Sequence, residues 1–447
     1  MNSQQQPTSN LRFMLRALRH RNYRLFFGGQ IVSLVGTWLS TLASSWLVFR
    51  MAGAEGLSPE WMLGLVGFAG QIPVFLFTPL TGVWVDRWNR HTILIITQTL
   101  SMLQSFALAA LVLSDRVTIA QLLALNAVQG LITSWDVPAR QAFTTEMIED
   151  RDDLSNAIAL NSSMMHGARL IGPAVAGYLI YAFGEGYCFL IDGFSYLAVI
   201  FALVAMRVKP RMMLVVTQHP IEALREGLAY AFGFRPIRTL LLMVAVTSLT
   251  AMSQATLMPV FAADVLGGHE RTLGWLLGAS GLGAFAGSLY LASRRSVLGL
   301  GRVIAVACGA LGIALILFST SHSLALSLPL LVVIGFSMVV EVASANTVLQ
   351  TIVDDDKRGR VMSLFTMAFL GVAPLGSLLA GAVATWIGAP ATLTIAGCVC
   401  IAAAGVFAWR LTHLRPLIRP IYQAKGILPQ VATGLQHTQP IATAPGD

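Results

Sequence analysis

Charge is what this 447-residue chain has least of: 11% of its residues are Asp, Glu, Lys or Arg, against roughly 25% in an average soluble domain. With 55% hydrophobic residues and a mean hydropathy of +0.71, this excludes an ordinary soluble protein. The four cysteines, Cys188, Cys308, Cys398 and Cys400, have neither disulfide-framework nor metal-ligand spacing and read as small packing residues. A phosphate-cradling Gly-Lys loop, a nucleophile motif and a metal-ligand cluster are also missing, which argues against a membrane enzyme and against direct ATP driving. No cofactor is expected. No cleavable leader is expected either, because the polar start runs through a basic stretch into a full-length apolar segment.

What the chain has in abundance is long apolar runs. A bilayer core takes about 20 helical residues per crossing, and twelve runs are long enough: 26–50, 61–85, 92–113, 118–140, 160–183, 187–206, 238–264, 272–293, 300–319, 325–349, 361–387 and 390–411. The fold class expected is an all-α integral membrane protein with twelve transmembrane helices in two parallel six-helix repeats. Lys and Arg fall almost wholly in loops on one side of this arrangement, from Arg12 to Arg24, at Arg87 and Arg90, between Arg207 and Arg238, and from Lys357 to Arg360. The positive-inside rule then places both termini in the cytoplasm. The net charge of +8 thus reports topology, and scattered basic residues without a binding motif give no reason to expect a nucleic-acid partner.

Five regions follow: a cytoplasmic N-terminal segment, 1–25; a first bundle, 26–206; a cytoplasmic linker, 207–237; a second bundle, 238–412; and a cytoplasmic tail, 413–447, rich in Pro, Gln, Thr and Ala and expected to be disordered. In the linker Ile221, Leu224, Leu228 and Phe232 recur at helical spacing, predicting an amphipathic helix along the membrane surface.

The halves repeat. Gly130 to Asp136 is matched by Gly335 to Glu341, 205 residues on, with Gly82 and Gly287 at the same offset; Gly172, Ala176 and Gly177 match Gly376, Ala380 and Gly381 at 204. A carboxylate in an apolar segment is costly, and its repetition points to transport, with substrate bound between the halves. Arg169 falls near mid-span and needs a partner or water. Asp136 is expected to pair with Arg169 or with Arg140, either as a switch released by protonation or as a permanent structural pair. Glu341 has no arginine at the corresponding positions. It is the better candidate to take a proton or a cationic substrate group directly if it opens to a cavity, or else it snorkels at the interface. Asp192, Asp264 and Arg50 read as interfacial, and Trp38, Trp46, Phe75 and Phe77 as cavity, core or lipid-facing residues.

Gly82-Val-Trp-Val-Asp86-Arg87-Trp-Asn-Arg90 resembles the signature that follows the second span in the major facilitator superfamily. That resemblance implies a cytoplasmic latch between the halves made by Gly82, Asp86, Arg87 and Arg90, where the alternative is a basic stop-transfer loop. Its second-half counterpart, Gly287 to Arg295, lacks the Asp. Gly172-Pro173-Ala-Val-Ala176-Gly177 resembles the span-five element of the superfamily's exporters, with Ala176 in place of a Gly; otherwise it is a kinked packing helix. The runs Asp136-Val-Pro138-Ala-Arg140, Asn156 to Asn161 and Arg169 to Pro173 resemble the secretion-effector branch, which includes enterobactin-type siderophore exporters and macrolide efflux proteins. The resemblance covers residues 20–412 and implies a bacterial inner-membrane antiporter, monomeric among membrane lipid, that exports a small molecule on the proton gradient. An uptake permease of the same fold, and a transporter-fold sensor, remain as alternatives.

Overall fold

The computed structural model describes residues 15–148, 150, 153–208, 220–294, 296–354 and 357–427. After a 3-10 turn at Arg16–Arg19, the first half contains α1 (Arg21–Ala54), α2 (Pro59–Arg87), α3 (Arg90–Leu113), α4 (Ile119–Glu146), α5 (Leu154–Phe183) and α6 (Glu185–Val204). A linker helix, α7 (Pro220–Gly233), leads to α8 (Arg235–Val260), α9 (Glu270–Ser293), α10 (Leu300–Ser319), α11 (Leu324–Ile352), α12 (Arg358–Thr366), α13 (Ala373–Ile387) and α14 (Ala389–Ala424). A π-helical turn, Phe261–Val265, extends α8, and another, Met367–Gly371, joins α12 to α13. Among the described residues the rods number twelve. Ten are long and apolar enough to cross a membrane. The other two, α4 and α5, have 28 and 30 residues but carry the polar side chains described below.

Helix ends follow local chemistry. Ser58 caps α2 by accepting from the Trp61 amide at 3.2 Å, ahead of Pro59 at the first helical position. Asn89 caps α3, and Thr118 with Gln121 forms a reciprocal capping box on α4. The α5–α6 and α13–α14 junctions are single glycines, Gly184 at φ +84° and Gly388 at φ +83°, 204 residues apart. With ψ at 171° and 158°, both adopt a backbone essentially confined to glycine.

The repeat is visible in the packing. In the first half α1 lies against α5 and α6, α2 against α4, and α3 against α4 and α6; in the second, α8 lies against α13 and α14, α9 against α11, and α10 against α11 and α14. The halves meet through α5 on α9 and α2 on α13. Both are backbone-close crossings. A Cβ on Gly177 would sit 2.7 Å from the Glu270 carbonyl and 3.0 Å from Gly274 Cα, and one on Gly64 would sit 2.8 Å from the Ser377 carbonyl and 2.9 Å from Gly381 Cα. All of these lie toward the ends of their helices remote from the termini, here the distal face; the face carrying the described chain ends is the terminal face. Polar contacts continue the distal seam: Trp46 Nε1 donates to Glu270 Oε1 at 3.0 Å, Ser58 and Thr385 hydroxyls lie 3.0 Å apart, and Arg271 stacks 4.0 Å from the Tyr181 ring centroid.

The structure amends the expected tail. Residues 413–424 continue α14 as helix, through Pro416 and Pro420; residues 428–447 lie outside those described, as do the first fourteen. Gly177→Leu should push the distal seam apart at an overpacking cost of about 1–3 kcal/mol. Distance measurements between spin labels on α5 and α9 should then show the distal ends separated, with the protein still monodisperse in detergent.

Candidate functional site

Asp136 is built into the first half by α3 and α4. Its Oδ1 accepts hydrogen bonds from Thr97 Oγ1 at 2.9 Å and Gln98 Nε2 at 2.8 Å, while its Oδ2 pairs with Arg140, one helical turn on. The carboxylate is buried, whereas the Arg140 side chain is about a third exposed, 32%, on the wall of a cavity of about 600 Å³. That cavity is lined by α1, α3, α4, α5 and Tyr196 of α6, and reaches the terminal ends of α1, α4 and α5 at Phe26, Thr145 and Leu154. Its surface mixes hydroxyl side chains with amides, among them Gln30, Gln141 and Asn161, and with the thioethers of Met164 and Met165. Gln98 and Gln129 each keep a buried carbonyl oxygen that accepts no hydrogen bond from the described residues. The wall thus combines one ion pair, neutral donors and acceptors, and adaptable apolar surface.

Arg169 and Glu341, the other two charges expected within spans, are placed elsewhere. Arg169 is half-buried on α5 at the crossing with α9, where its carbonyl approaches Gly281. Among the described residues no hydrogen bond or ion pair reaches its side chain, and the partner of Asp136 is Arg140. Glu341 is fully buried in the second half and lines neither the cavity of the first half nor the terminal face. Thr247 of α8 is its neighbour, yet neither carboxylate oxygen makes a hydrogen bond among the described residues. The opening to a cavity expected for Glu341 is absent in this state, and so is snorkelling, because its face of α11, with Ser337, Val340, Ser344 and Ala345, turns into the second bundle.

Of the latch motif, a Cβ on Gly82 would meet nothing within 4 Å among the described residues. Arg87 is exposed, and Arg90 Nη1 pairs with Glu146 Oε1 at 2.5 Å, tying α3 to the end of α4 within one half. Asp86 has its backbone in α2; its side chain lies outside those described. In the span-five element, Gly172 packs on Trp38, with a Cβ position 2.6 Å from Trp38 Cβ, the Pro173 carbonyl and Gly177 abut Gly274, and Ala176 is buried. Phe75 packs on Gly371, and Phe77 is exposed.

Comparison with known proteins decides the family. The transmembrane secretion effector family matches residues 14–419. This chain belongs to it. The secretion effector is 24% identical over 390 residues to the staphyloferrin A transporter of Staphylococcus aureus, covering 86% of this chain and 95% of that one. It is 26% identical over 392 residues to the multidrug efflux pump Tap of Mycolicibacterium fortuitum, covering 86% and 93%. Among solved structures, a mutant of the nucleoside transporter NupG superposes with a TM-score of 0.66 at 15% identity, over 86% of this chain and 99% of that one, which establishes the shared major facilitator fold.

Several polar residues of this secretion effector escaped the sequence. Asp192, expected at the interface, is buried in α6 and accepts from Ser105 at 2.7 Å, with Gly36 and Ser195 packed alongside. Its apolar flanks Ile191 and Gly193 gave the signal, but counting from an uncertain helix end hid its depth. Arg50, read as interfacial, is exposed and is held by Glu185 in a two-point pair at 3.1 and 3.3 Å. Asp264 is exposed as expected. On the terminal face Asp153 gathers Arg16, Arg19 and His20 at 2.8–3.2 Å.

Breaking a buried pair costs more than removing both partners, because the survivor is left uncompensated. Given the partial exposure of Arg140, Arg140→Gln should lower stability by about 1–3 kcal/mol. The double variant Asp136→Asn/Arg140→Gln should recover at least half of that in thermal unfolding of the detergent-purified protein.

Proposed function

We propose that this chain exports a small amphipathic molecule across the bacterial inner membrane on the proton gradient, by alternating access, with its terminal face cytoplasmic. The observation that carries this reading is the Asp136–Arg140 pair on the wall of the first-half cavity. A proton on Asp136 removes the charge that holds Arg140, while Thr97 and Gln98 still bond the neutral acid, so the guanidinium is released without orphaning the carboxyl. The free Arg140 then changes what the cavity offers to substrate, which is the differential interaction a conformational switch requires. One proton crossing 100 mV supplies about 2.3 kcal/mol, enough for roughly fiftyfold accumulation.

The cavity favours a cargo with hydrogen-bonding groups, to meet the hydroxyl and amide side chains of its wall, and with enough apolar surface to pack on Met164 and Met165. Siderophore, drug and secondary-metabolite chemistry all satisfy this, in keeping with the names of the relatives. The seam between the halves is closed on the distal face, so the cavity as drawn accepts cargo from the terminal side. Asp136 is then the coupling group, and Glu341, enclosed away from the cavity, is a structural acid in this state.

Everted membrane vesicles test direction and coupling together, with a panel of siderophores, macrolides and amphipathic dyes as probes. Energised vesicles should accumulate a substrate; energy-driven depletion instead would mean uptake. Asp136→Asn should lower gradient-driven flux by about tenfold or more and Glu341→Gln by less than about threefold. Undiminished proton-dependent flux in correctly inserted Asp136→Asn would remove Asp136 from the coupling step.

A further inference from the structure

A second cavity, of about 570 Å³, lies in the other half of the molecule, away from the Asp136 site, where α8, α10, α11 and α14 come together at the terminal face. Its depth is apolar, with Leu240, Ile304, Val348, Phe407 and Leu414 among its walls; its mouth carries Arg302, Arg415 and Arg419. All three arginines are exposed. Among the described residues no carboxylate and no hydrogen-bond acceptor reaches any of their side chains. This differs from other arginines of the same face, where Arg19 pairs with Asp150 and Asp153, Arg90 with Glu146 and Arg360 with Glu226. The position is also specific. Arg302 stands in the first turn of α10, while Arg415 and Arg419 are one turn apart on α14, where its apolar stretch gives way to Arg410, Pro416 and Pro420. The mouth therefore sits at the level of lipid headgroups, and the apolar walls lead from it toward the hydrocarbon.

We propose that this pocket binds an anionic phospholipid, with its phosphate held by Arg302, Arg415 and Arg419 and part of an acyl chain in the apolar cavity. Charge complementarity selects the headgroup: three unpaired guanidinium groups present planar donor forks suited to phosphate oxygens. The apolar depth selects a lipid over a free anion, since a soluble phosphate leaves Leu240, Ile304 and Phe407 unfilled. Basic pockets between helices at a membrane face are a recurrent form of lipid recognition. The bound lipid would bridge α10 and α14, elements that the cargo cavity does not use, and so would act on the second half alone.

Native mass spectrometry and thermal unfolding of the full chain, purified in detergent, test this with phosphatidylglycerol, phosphatidylcholine and inorganic phosphate as probes. Phosphatidylglycerol should bind one-to-one and raise the unfolding temperature, with an affinity that falls as salt is added; phosphatidylcholine and phosphate should do neither. Each arginine is worth roughly fivefold, so Arg302→Gln/Arg415→Gln/Arg419→Gln should weaken phosphatidylglycerol binding on the order of a hundredfold. A charge-matched control, Arg116→Gln/Arg207→Gln/Arg410→Gln, should bind within a few-fold of wild type. Leu411→Trp, which fills the cavity and keeps the arginines, should also lose the lipid. Equal binding of phosphatidylcholine, an equal effect of inorganic phosphate, or retention in the pocket triple variant would each overturn the proposal. The comparison of probes on the wild-type protein stands even if a variant fails to fold.

Discussion

Two glycine contacts between the halves, Gly177 on Gly274 and Gly64 on Gly381, set the geometry on which the rest of the molecule depends. Helices can cross with their backbones touching only where side chains vanish, and in lipid, where no hydrophobic drive brings helices together, such close contact is a principal source of attraction. Along α9 it runs from the distal end to the middle of the helix, where Gly281 meets the Arg169 carbonyl. Nearer the terminal face α9 turns Gly283 and Gly287 to α11 instead, against Val332 and Phe336. One helix thus joins the opposite half at one end and its own half at the other. That division leaves room for the cavity beside α5.

Much of this was legible in the sequence because duplication writes the same constraint twice. The offsets of 204 and 205 paired Gly177 with Gly381 and Asp136 with Glu341, and apolar length placed every rod to within a few residues except the last. There the apolar run stops at 411, but near the C-terminal end of a long rod the backbone bonds lost at Pro416 and Pro420 can be met by water, and α14 continues to Ala424. What stayed hidden were contacts between residues far apart in the chain. Nothing local to Trp46 announces Glu270, 224 positions away, and nothing local to Arg50 announces Glu185. The competing partners for Asp136 were resolved by distance along one helix: Arg140 is a turn away and makes the pair, whereas the Arg169 side chain makes no ion pair among the described residues.

The two acids show how far the halves have diverged. Asp136 is matched by neighbours on two helices and reaches a cavity wall. Glu341, with Ala345 where an arginine would stand, is enclosed without any hydrogen bond among the described residues. A carboxyl kept in such surroundings is expensive, so the second half carries a polar cost that the first half offsets with Thr97, Gln98 and Arg140. The cavities have parted in the same way, with the one lined by Asp136 and Arg140 in one bundle and the arginine-rimmed one in the other.

The junction glycines make the opposite point. Gly184 and Gly388 still hold the same positive-φ, extended backbone angles after the chemistry around the acids has drifted apart. Any side chain at either position must distort the turn, whereas an acid or arginine within a bundle can be exchanged and its neighbours repacked. The turns therefore work as fixed joints of a duplicated frame, and the bundles hung between them are free to specialise. An ancestral half can lose its chemistry long before it loses its shape.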